Sequence, residues 1–177
     1  KIILGFIGRL DEQKGIMPFI KEFVKYKDEF DDCRILLVGN GSQEEAIKNI
    51  IKKFNLEEMF ILTGFQDNVY KFYPIIDVFF LPSLYEGLPM VLLEAMAFKK
   101  SVISMDVGSI NEVIKDKKTG ILIEDGDYRE FLIRLKTIKE DKFNREKLGN
   151  NAFEYIKSNY DIKKYRSNIE KIYDSQI

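Results

Sequence analysis

The sequence predicts an α/β fold, one doubly wound parallel sheet with closing C-terminal helices. Three observations carry that expectation. Six short apolar runs alternate with longer segments of helical periodicity. Several runs are apolar at consecutive positions, as expected when helices cover both faces of a sheet. After the sixth run only helical patterns follow, and the β-α alternation before it is that of a Rossmann-like sheet. The 177 residues suit a single domain.

The candidate strands are Ile2–Ile7, Arg34–Val38, Met59–Thr63, Asp77–Leu81, Ser101–Met105 and Gly120–Ile123. Between the first two, Ile16, Phe19, Ile20, Phe23 and Val24 mark one face of a helix. Ala46, Ile47, Ile50, Ile51 and Phe54 mark the next, and Ser42-Gln43-Glu44-Glu45 has the form of a capping box at its start. Asp67 is placed to cap a short helix ending near Tyr73-Pro74. The segment from Leu88 to Phe98 is apolar nearly all round, which predicts a largely buried helix. Asn111–Ile114 reads as a short helical turn, and Asp127 and Glu130 can cap a helix over Phe131–Ile138. Helical stretches at Arg145–Asn159 and Ile162–Asp174 follow, with Tyr155, Ile156, Tyr160, Tyr165, Ile169, Ile172 and Tyr173 as apolar contacts. Repeats, low-complexity tracts and internal linkers are absent from the sequence. The chain opens without Met, directly in an apolar run, as a domain cut from a longer polypeptide would.

Composition removes several kinds of chemistry. With no histidine, Ser-His-Asp catalysis and most transition-metal sites are excluded for these residues. The single cysteine, Cys33, allows no internal disulfide and no cysteine zinc cluster, and fits a reducing compartment. With 28 basic against 29 acidic side chains, the chain carries no electrostatic footprint for nucleic acid. No apolar run approaches the ~20 residues of a membrane span, and no signal-peptide pattern precedes the first strand.

In doubly wound sheets ligands bind outside the carboxyl ends of the strands, so the loops after each strand are the places to inspect. The first runs from Gly8 to Gly15. Its Arg9 offers a planar fork and its Lys14 a compact ammonium, a pair suited to a diphosphate; charge spacing alone favours the alternative, a solvated loop pairing with Asp11 and Glu12. The second, Val38-Gly39-Asn40-Gly41-Ser42, is either a phosphate-friendly turn or a tight strand-to-helix connection. It is not a dinucleotide fingerprint, because Glu44 stands at the place of the last glycine, and no GxxxxGK element exists. The third, Pro82 to Met90, leads into a helix bearing Glu94. Its Gly87-Leu88-Pro89 opening supplies free N–H groups at a positive dipole end, a ready anion site. Helical side chains lean toward the N-terminus, so Glu94 points back at this mouth, where Glu86 also stands. Glu94 is alternatively one half of a buried ion pair, and Glu86 a solvated loop acid. Thr63-Gly64-Phe65 and Gly108-Ser109-Ile110-Asn111-Glu112 end further strands at the same face.

Taken together these segments resemble the C-terminal domain of the retaining GT-B glycosyltransferases of family four, from Phe6 to about Asp127. The carriers are Gly8-Arg9-Leu10 with Lys14-Gly15; Val38-Gly39-Asn40-Gly41; Thr63-Gly64-Phe65; and Glu86 to Glu94, a Glu-x7-Glu motif set in Pro-Ser-x-x-Glu-Gly-Leu-Pro and Leu-Glu-Ala-Met. Val107-Gly108 with Glu112, and Thr119-Gly120-Ile121-Leu122, complete the order. The resemblance implies that Arg9 and Lys14 hold the donor diphosphate, that Glu94 accepts from ribose hydroxyls and that Glu86 contacts the donor sugar. It also places Gly8, Gly39, Gly41, Gly87, Leu88, Pro89 and Met90 around the donor, with Phe65 bordering the base. Its implied donor is a UDP- or GDP-sugar, used without a cofactor or bound metal. The acceptor, a glycan or lipid-linked molecule, would be bound through a separate N-terminal domain. A cytoplasmic protein follows, its full-length form able to associate peripherally with the inner face of the membrane. Two other functions fit the scaffold, a non-catalytic partner protein and a nucleotide-sugar epimerase. The connection Ala97-Phe98-Lys99-Lys100-Ser101 departs from the family pattern in lacking the usual Gly and Pro, and Ser109 and Asn111 replace a frequent Gly and Pro near Glu112.

Overall fold

The computed structural model describes residues 1–160; the helix expected over Ile162–Asp174 lies outside the described residues. Six strands, β1 (Ile2–Ile7), β2 (Cys33–Val38), β3 (Phe60–Leu62), β4 (Val78–Leu81), β5 (Ser101–Met105) and β6 (Ile121–Ile123), form one sheet in the order β3-β2-β1-β4-β5-β6. Every pairing is parallel. β4 and β5 are buried at every position, which explains their consecutive apolar residues: both faces are covered.

The helices are α1 (Ile16–Phe23), α2 (Glu44–Lys53), α3 (Met90–Ala97), α4 (Ile110–Val113), α5 (Tyr128–Glu140) and α6 (Lys142–Asn159). α1 packs beside α2 and α5, while α3 packs beside α6. The apolar face of α1 forms an aromatic wedge. Phe19 stacks on Phe80 at 4.7 Å and meets Phe131 edge-on at 5.9 Å, and Phe23 meets Phe60 edge-on at 5.3 Å. Each such pair contributes about 0.5–1.5 kcal/mol beyond its burial. Lys139, a buried cation on α5, donates to Asp32 Oδ1 at 2.7 Å and to the Glu29 carbonyl at 2.9 Å, tying α5 to the turn before β2.

Two local expectations are corrected. The segment from Asp67 forms turns, not a helix, and ends in a 3-10 turn over Tyr73–Ile75. Pro74 has no N–H for an i−4 carbonyl and disfavours an α-helix continuing through it; the turn's side-chain acceptor is Asn68, whose Oδ1 takes the Tyr70 N–H at 3.1 Å. The capping box does not form either. Ser42 donates both its N–H and its hydroxyl to Asp11 Oδ1, at 3.0 and 3.1 Å, and α2 starts without a side-chain cap. Asp127 does cap α5, accepting from the Glu130 N–H at 2.8 Å. Asp141 caps α6, which starts three residues earlier than Arg145 because the Asn144 N–H finds that carboxylate at 2.9 Å. In the connection lacking its glycine, Lys99 itself takes a left-handed φ of 57°.

Gly15 joins the first loop to α1 at φ 67°. A Cβ there would collide with the Pro82 carbonyl and lie 2.8 Å from the Tyr128 hydroxyl. Gly126, at φ 78°, has open space around its missing Cβ. Gly126→Ala should therefore cost roughly 1–2 kcal/mol for the backbone alone, and Gly15→Ala about 1–3 kcal/mol more for the overpacking. Urea unfolding of both variants measures the difference; equal losses would show that the Pro82 carbonyl does not confine this loop.

Candidate functional site

The chain crosses the sheet in opposite directions on either side of the β1 and β4 pair, which are neighbours through Leu4 with Val78 and Gly5 with Phe79. Loops leaving the two carboxyl ends therefore diverge and leave a crevice between them. Three loops meet there through their backbones. The Leu84 N–H donates to the Gln13 carbonyl at 2.8 Å and Gln13 Nε2 to the Tyr85 carbonyl at 2.9 Å, joining the β1 and β4 loops. The Leu10 N–H donates to the Asn40 carbonyl at 2.8 Å, joining the β1 and β2 loops. Gly39 and Gly41 serve this second seam. A Cβ on Gly39 would strike the Gly8 carbonyl, and one on Gly41 would lie 2.6 Å from the Leu10 backbone. Of the two turn readings for this segment, the tight connection describes Gly41, while Gly39 also lines the crevice.

A cleft of about 380 Å³ opens at the switch point. Gly8, Arg9, Gly39, Phe65 and Glu94 all line it, with Asn40, Val69 and Val91 between them. A hollow of about 420 Å³ beside β6, α5 and α6 contains none of the candidate donor-site residues; the switch-point cleft is the candidate because the strand ends and their loops converge there. Lys14, Glu86, Gly87, Leu88 and Pro89 on the adjoining loops, and Met90 at the start of α3, do not line the cleft itself. Leu88 and Met90 are exposed, and the first N–H groups of α3 have no intrahelical acceptor.

Lys14 and Glu86 form a direct ion pair, Nζ to Oε1 at 2.6 Å, with Glu86 buried and Lys14 partly buried. Ser83, fully buried, donates its hydroxyl to the same oxygen at 2.6 Å. Glu86 is only 4% exposed, which corrects the solvated-acid reading. Gly108, at φ 57°, makes room for the Glu86 carbonyl, since a Cβ there would overlap it. Arg9 is arranged differently: its side chain is 71% exposed and lies 3.1 Å from Asp11 Oδ2. Hydrogen bonds from the Ser42 backbone and hydroxyl hold the Asp11 carboxyl below its usual range, and the Arg9 charge adds to them.

Glu94 stands one turn into α3, and its partners are hydroxyls where an ion pair was the alternative. Tyr73 donates to Oε2 at 2.6 Å, and Tyr70 reaches Oε1 at 3.4 Å. Sequence reasoning missed Ser83, Tyr70 and Tyr73 as partners. Ser83 had a signal, being a hydroxyl three residues before Glu86; the tyrosines, more than 20 residues from Glu94, had none. Among the described residues no group of three or more acidic, Cys or His side chains is placed to hold a metal ion.

A six-stranded parallel Rossmann-like sheet of this order is the architecture of one half of a GT-B fold, and the comparisons agree. Residues 1–155 match the family described as "Glycosyl transferases group 1", and the chain belongs to that family. It is 31% identical over 172 residues to the N-acetylgalactosamine-N,N'-diacetylbacillosaminyl-diphospho-undecaprenol 4-alpha-N-acetylgalactosaminyltransferase of Campylobacter jejuni, covering 93% of this chain and 46% of that protein. It superposes on a point variant of Staphylococcus aureus TarM, solved with Fondaparinux, alpha-GlcNAc-glycerol and UDP. There the TM-score is 0.86 at 27% identity, over 97% of this chain and 34% of TarM. The isolated C-terminal domain of a Francisella tularensis group 1 glycosyl transferase gives 0.82 at 25% identity, over 92% of this chain and 87% of that one. The chain spans about half the length of the curated relatives it matches.

The ion pair yields a stability test. Lys14→Met leaves Glu86 buried without its cation and should cost roughly 3–5 kcal/mol in urea unfolding, the usual penalty for breaking a buried pair. Arg9→Ala removes an exposed pair and should stay within about 0.5 kcal/mol. Adding Glu86→Gln to Lys14→Met should recover most of the loss. Similar small effects for Lys14→Met and Arg9→Ala would mean that Glu86 is solvated after all.

Proposed function

We propose that this chain is the donor-binding half of a retaining glycosyltransferase that takes a UDP- or GDP-sugar without a metal ion. The observation that carries the reading is the convergence of Arg9, Lys14, Glu86 and Glu94 on the two loops and the helix that follow β1 and β4. A departing nucleoside diphosphate needs positive charge more than it needs a proton. Arg9, exposed at the cleft mouth, and Lys14, one loop turn away, supply two cations. Lys14 waits on Glu86; an arriving diphosphate draws Lys14 away and leaves Glu86, still anchored by Ser83, to meet the sugar. Glu94 accepts from the ribose, Phe65 borders the base, and Gly8, Gly39, Gly87, Leu88, Pro89 and Met90 surround the phosphates and sugar with backbone. Gly41 acts one step back, by seating the β2 loop.

The acceptor in this reading is a glycan or lipid-linked molecule bound by a separate N-terminal domain; the Campylobacter relative, whose name specifies a diphospho-undecaprenol, supports the lipid-linked class. No described helix is long and apolar enough to cross a membrane. We place the full-length protein in the cytoplasm, with peripheral contact at the inner membrane face.

Calorimetry with UDP, GDP and ADP in EDTA tests the reading directly, and at least one should bind. Arg9→Ala and Lys14→Ala, checked for folding, should each weaken the diphosphate about tenfold or more, as loss of a charge-assisted hydrogen bond does, and the bare nucleoside far less. Equal losses for both would show that these cations do not read phosphate, and binding abolished by EDTA would overturn the metal-free part.

The two glutamates should fail differently. Glu86→Gln should spare nucleotide affinity and lower turnover in the full-length enzyme, and Glu94→Gln should weaken ribonucleotides more than their 2′-deoxy analogues. The chain alone should bind donor yet transfer no sugar, because placing an acceptor and excluding water require a second wall across the cleft. Epimerised nucleotide sugar, or no product at all from the full-length protein, would replace the transferase reading by one of its two alternatives.

A further inference from the structure

We propose that Tyr73 is a positioning residue, holding Glu94 by Oε2 so that Oε1 meets the ribose hydroxyls of a bound nucleoside diphosphate. The inference rests on the reading of Glu94 as the ribose acceptor and adds the group that aims it. A glutamate on a helix has three side-chain torsions, and a carboxylate free to sample them would lose entropy on meeting a ligand. Tyr73 has two, and packing fixes both. It is 0% exposed, its ring lies 5.0 Å from Phe98 at an interplanar angle of 15°, and Phe79 stands 6.2 Å away on β4. The ring belongs to the turn that leads into β4, while Glu94 belongs to α3, so the contact ties the helix-borne carboxylate to the sheet.

The direction of the hydrogen bond is set as well. Burial raises the Tyr73 phenol well above its ordinary range, and the bond to Glu94 raises it further, so the hydroxyl stays protonated and must donate. Its one proton has two acceptors in reach, Glu94 Oε2 at 2.6 Å and the Val91 carbonyl at 3.3 Å. The shorter contact, to a charge, is the stronger. On the other oxygen the one hydrogen bond among the described residues is from Tyr70, at 3.4 Å, a residue that is 54% exposed, where water competes. One oxygen is thus committed inward, and the other is available to the cleft that Glu94 lines.

Tyr73→Phe removes the oxygen and keeps the ring. The full chain is titrated with UDP, GDP and ADP and with their 2′-deoxy counterparts. The wild type should favour the ribose form by about tenfold, the value of a hydrogen bond to a charged group. In Tyr73→Phe that ratio should fall to about threefold or less with 2′-deoxy affinity held within about twofold, whereas Tyr70→Phe should leave it nearly unchanged. Tyr73→Phe combined with Glu94→Gln should discriminate no less than Glu94→Gln alone. An unchanged ratio in Tyr73→Phe, beside a reduced one in Glu94→Gln, would overturn the role of Tyr73 and leave the donor-site reading intact. Equal weakening of ribose and deoxyribose forms would also overturn it, by showing a structural role. A wild type that binds but does not discriminate would remove both Glu94 as ribose acceptor and this inference. A wild type that binds none of the nucleotides would overturn the donor-site reading and this inference together.

Discussion

The parallel pairing of β1 with β4 is the constraint from which the rest of the site follows. Helices must cover both faces of an all-parallel sheet, and right-handed crossovers can achieve this only if the chain reverses its direction of travel across the sheet once. Here the reversal falls between β1 and β4. No helix can cover the gap at that point, so the carboxyl ends of these strands open into solvent while their flanks are packed. Buried Ser83 and Glu86, with the partly buried cation of Lys14, stand at this opening.

What holds the loops at the opening is mostly backbone against backbone, with glycine at each close approach. Gly15 faces the Pro82 carbonyl, Gly39 the Gly8 carbonyl and Gly108 the Glu86 carbonyl, and all three have positive φ. Each contact joins loops from different strands, so the positions of Lys14 and Glu86 are set by four strands together, β1, β2, β4 and β5. This kind of support suits a site with buried charge. Two ions taken out of water cost several kcal/mol each, and their attraction offsets that cost only if the geometry is held. A pair at 2.6 Å with a hydroxyl on the same oxygen meets that condition. Side chains on mobile loops would not keep it.

The fold was legible because its signals are local. All six apolar runs became strands, no end shifting by more than one residue, and the central strands are the most continuously apolar because both their faces are covered. The helix face of Ile16, Phe19, Ile20 and Phe23 was equally plain, and these four are the buried residues of α1. Failures came where a local rule met a distant partner. Ser42 would have capped α2, but Asp11, 31 residues away, holds its donors. A helix after Asp67 fitted the polar start, but Asn68 Oδ1 takes the Tyr70 N–H and the segment runs as turns. In the site, the candidate residues were recognisable from their loops, whereas their pairing was not. Lys14 and Glu86 are 72 residues apart, and nothing in either segment announces that the cation of one loop is spent on the acid of the other. For Glu94 the physical demand for a buried partner was readable, and its nature was not: a phenol in a turn satisfies it as well as a cation would.

That difference in partners separates the two glutamates electrostatically. Glu86 faces a cation, so its charge is cancelled while the crevice is empty, and only a competing anion that attracts Lys14 exposes it. Glu94 faces neutral hydroxyls, which stabilise its charge without cancelling it, so it can accept from a ligand hydroxyl at any time. On the proposed reading this orders the encounter. The ribose meets a carboxylate that is already charged and fixed. The diphosphate then reaches Arg9, exposed at the mouth, and takes Lys14 from its buried partner. Only after that exchange does the sugar find Glu86 charged and free. A bare sugar, or a nucleoside without phosphates, offers nothing to draw Lys14 away and leaves the reacting end of the site closed. The internal ion pair thereby makes activation of the sugar-facing acid depend on the presence of the leaving group that the reaction requires.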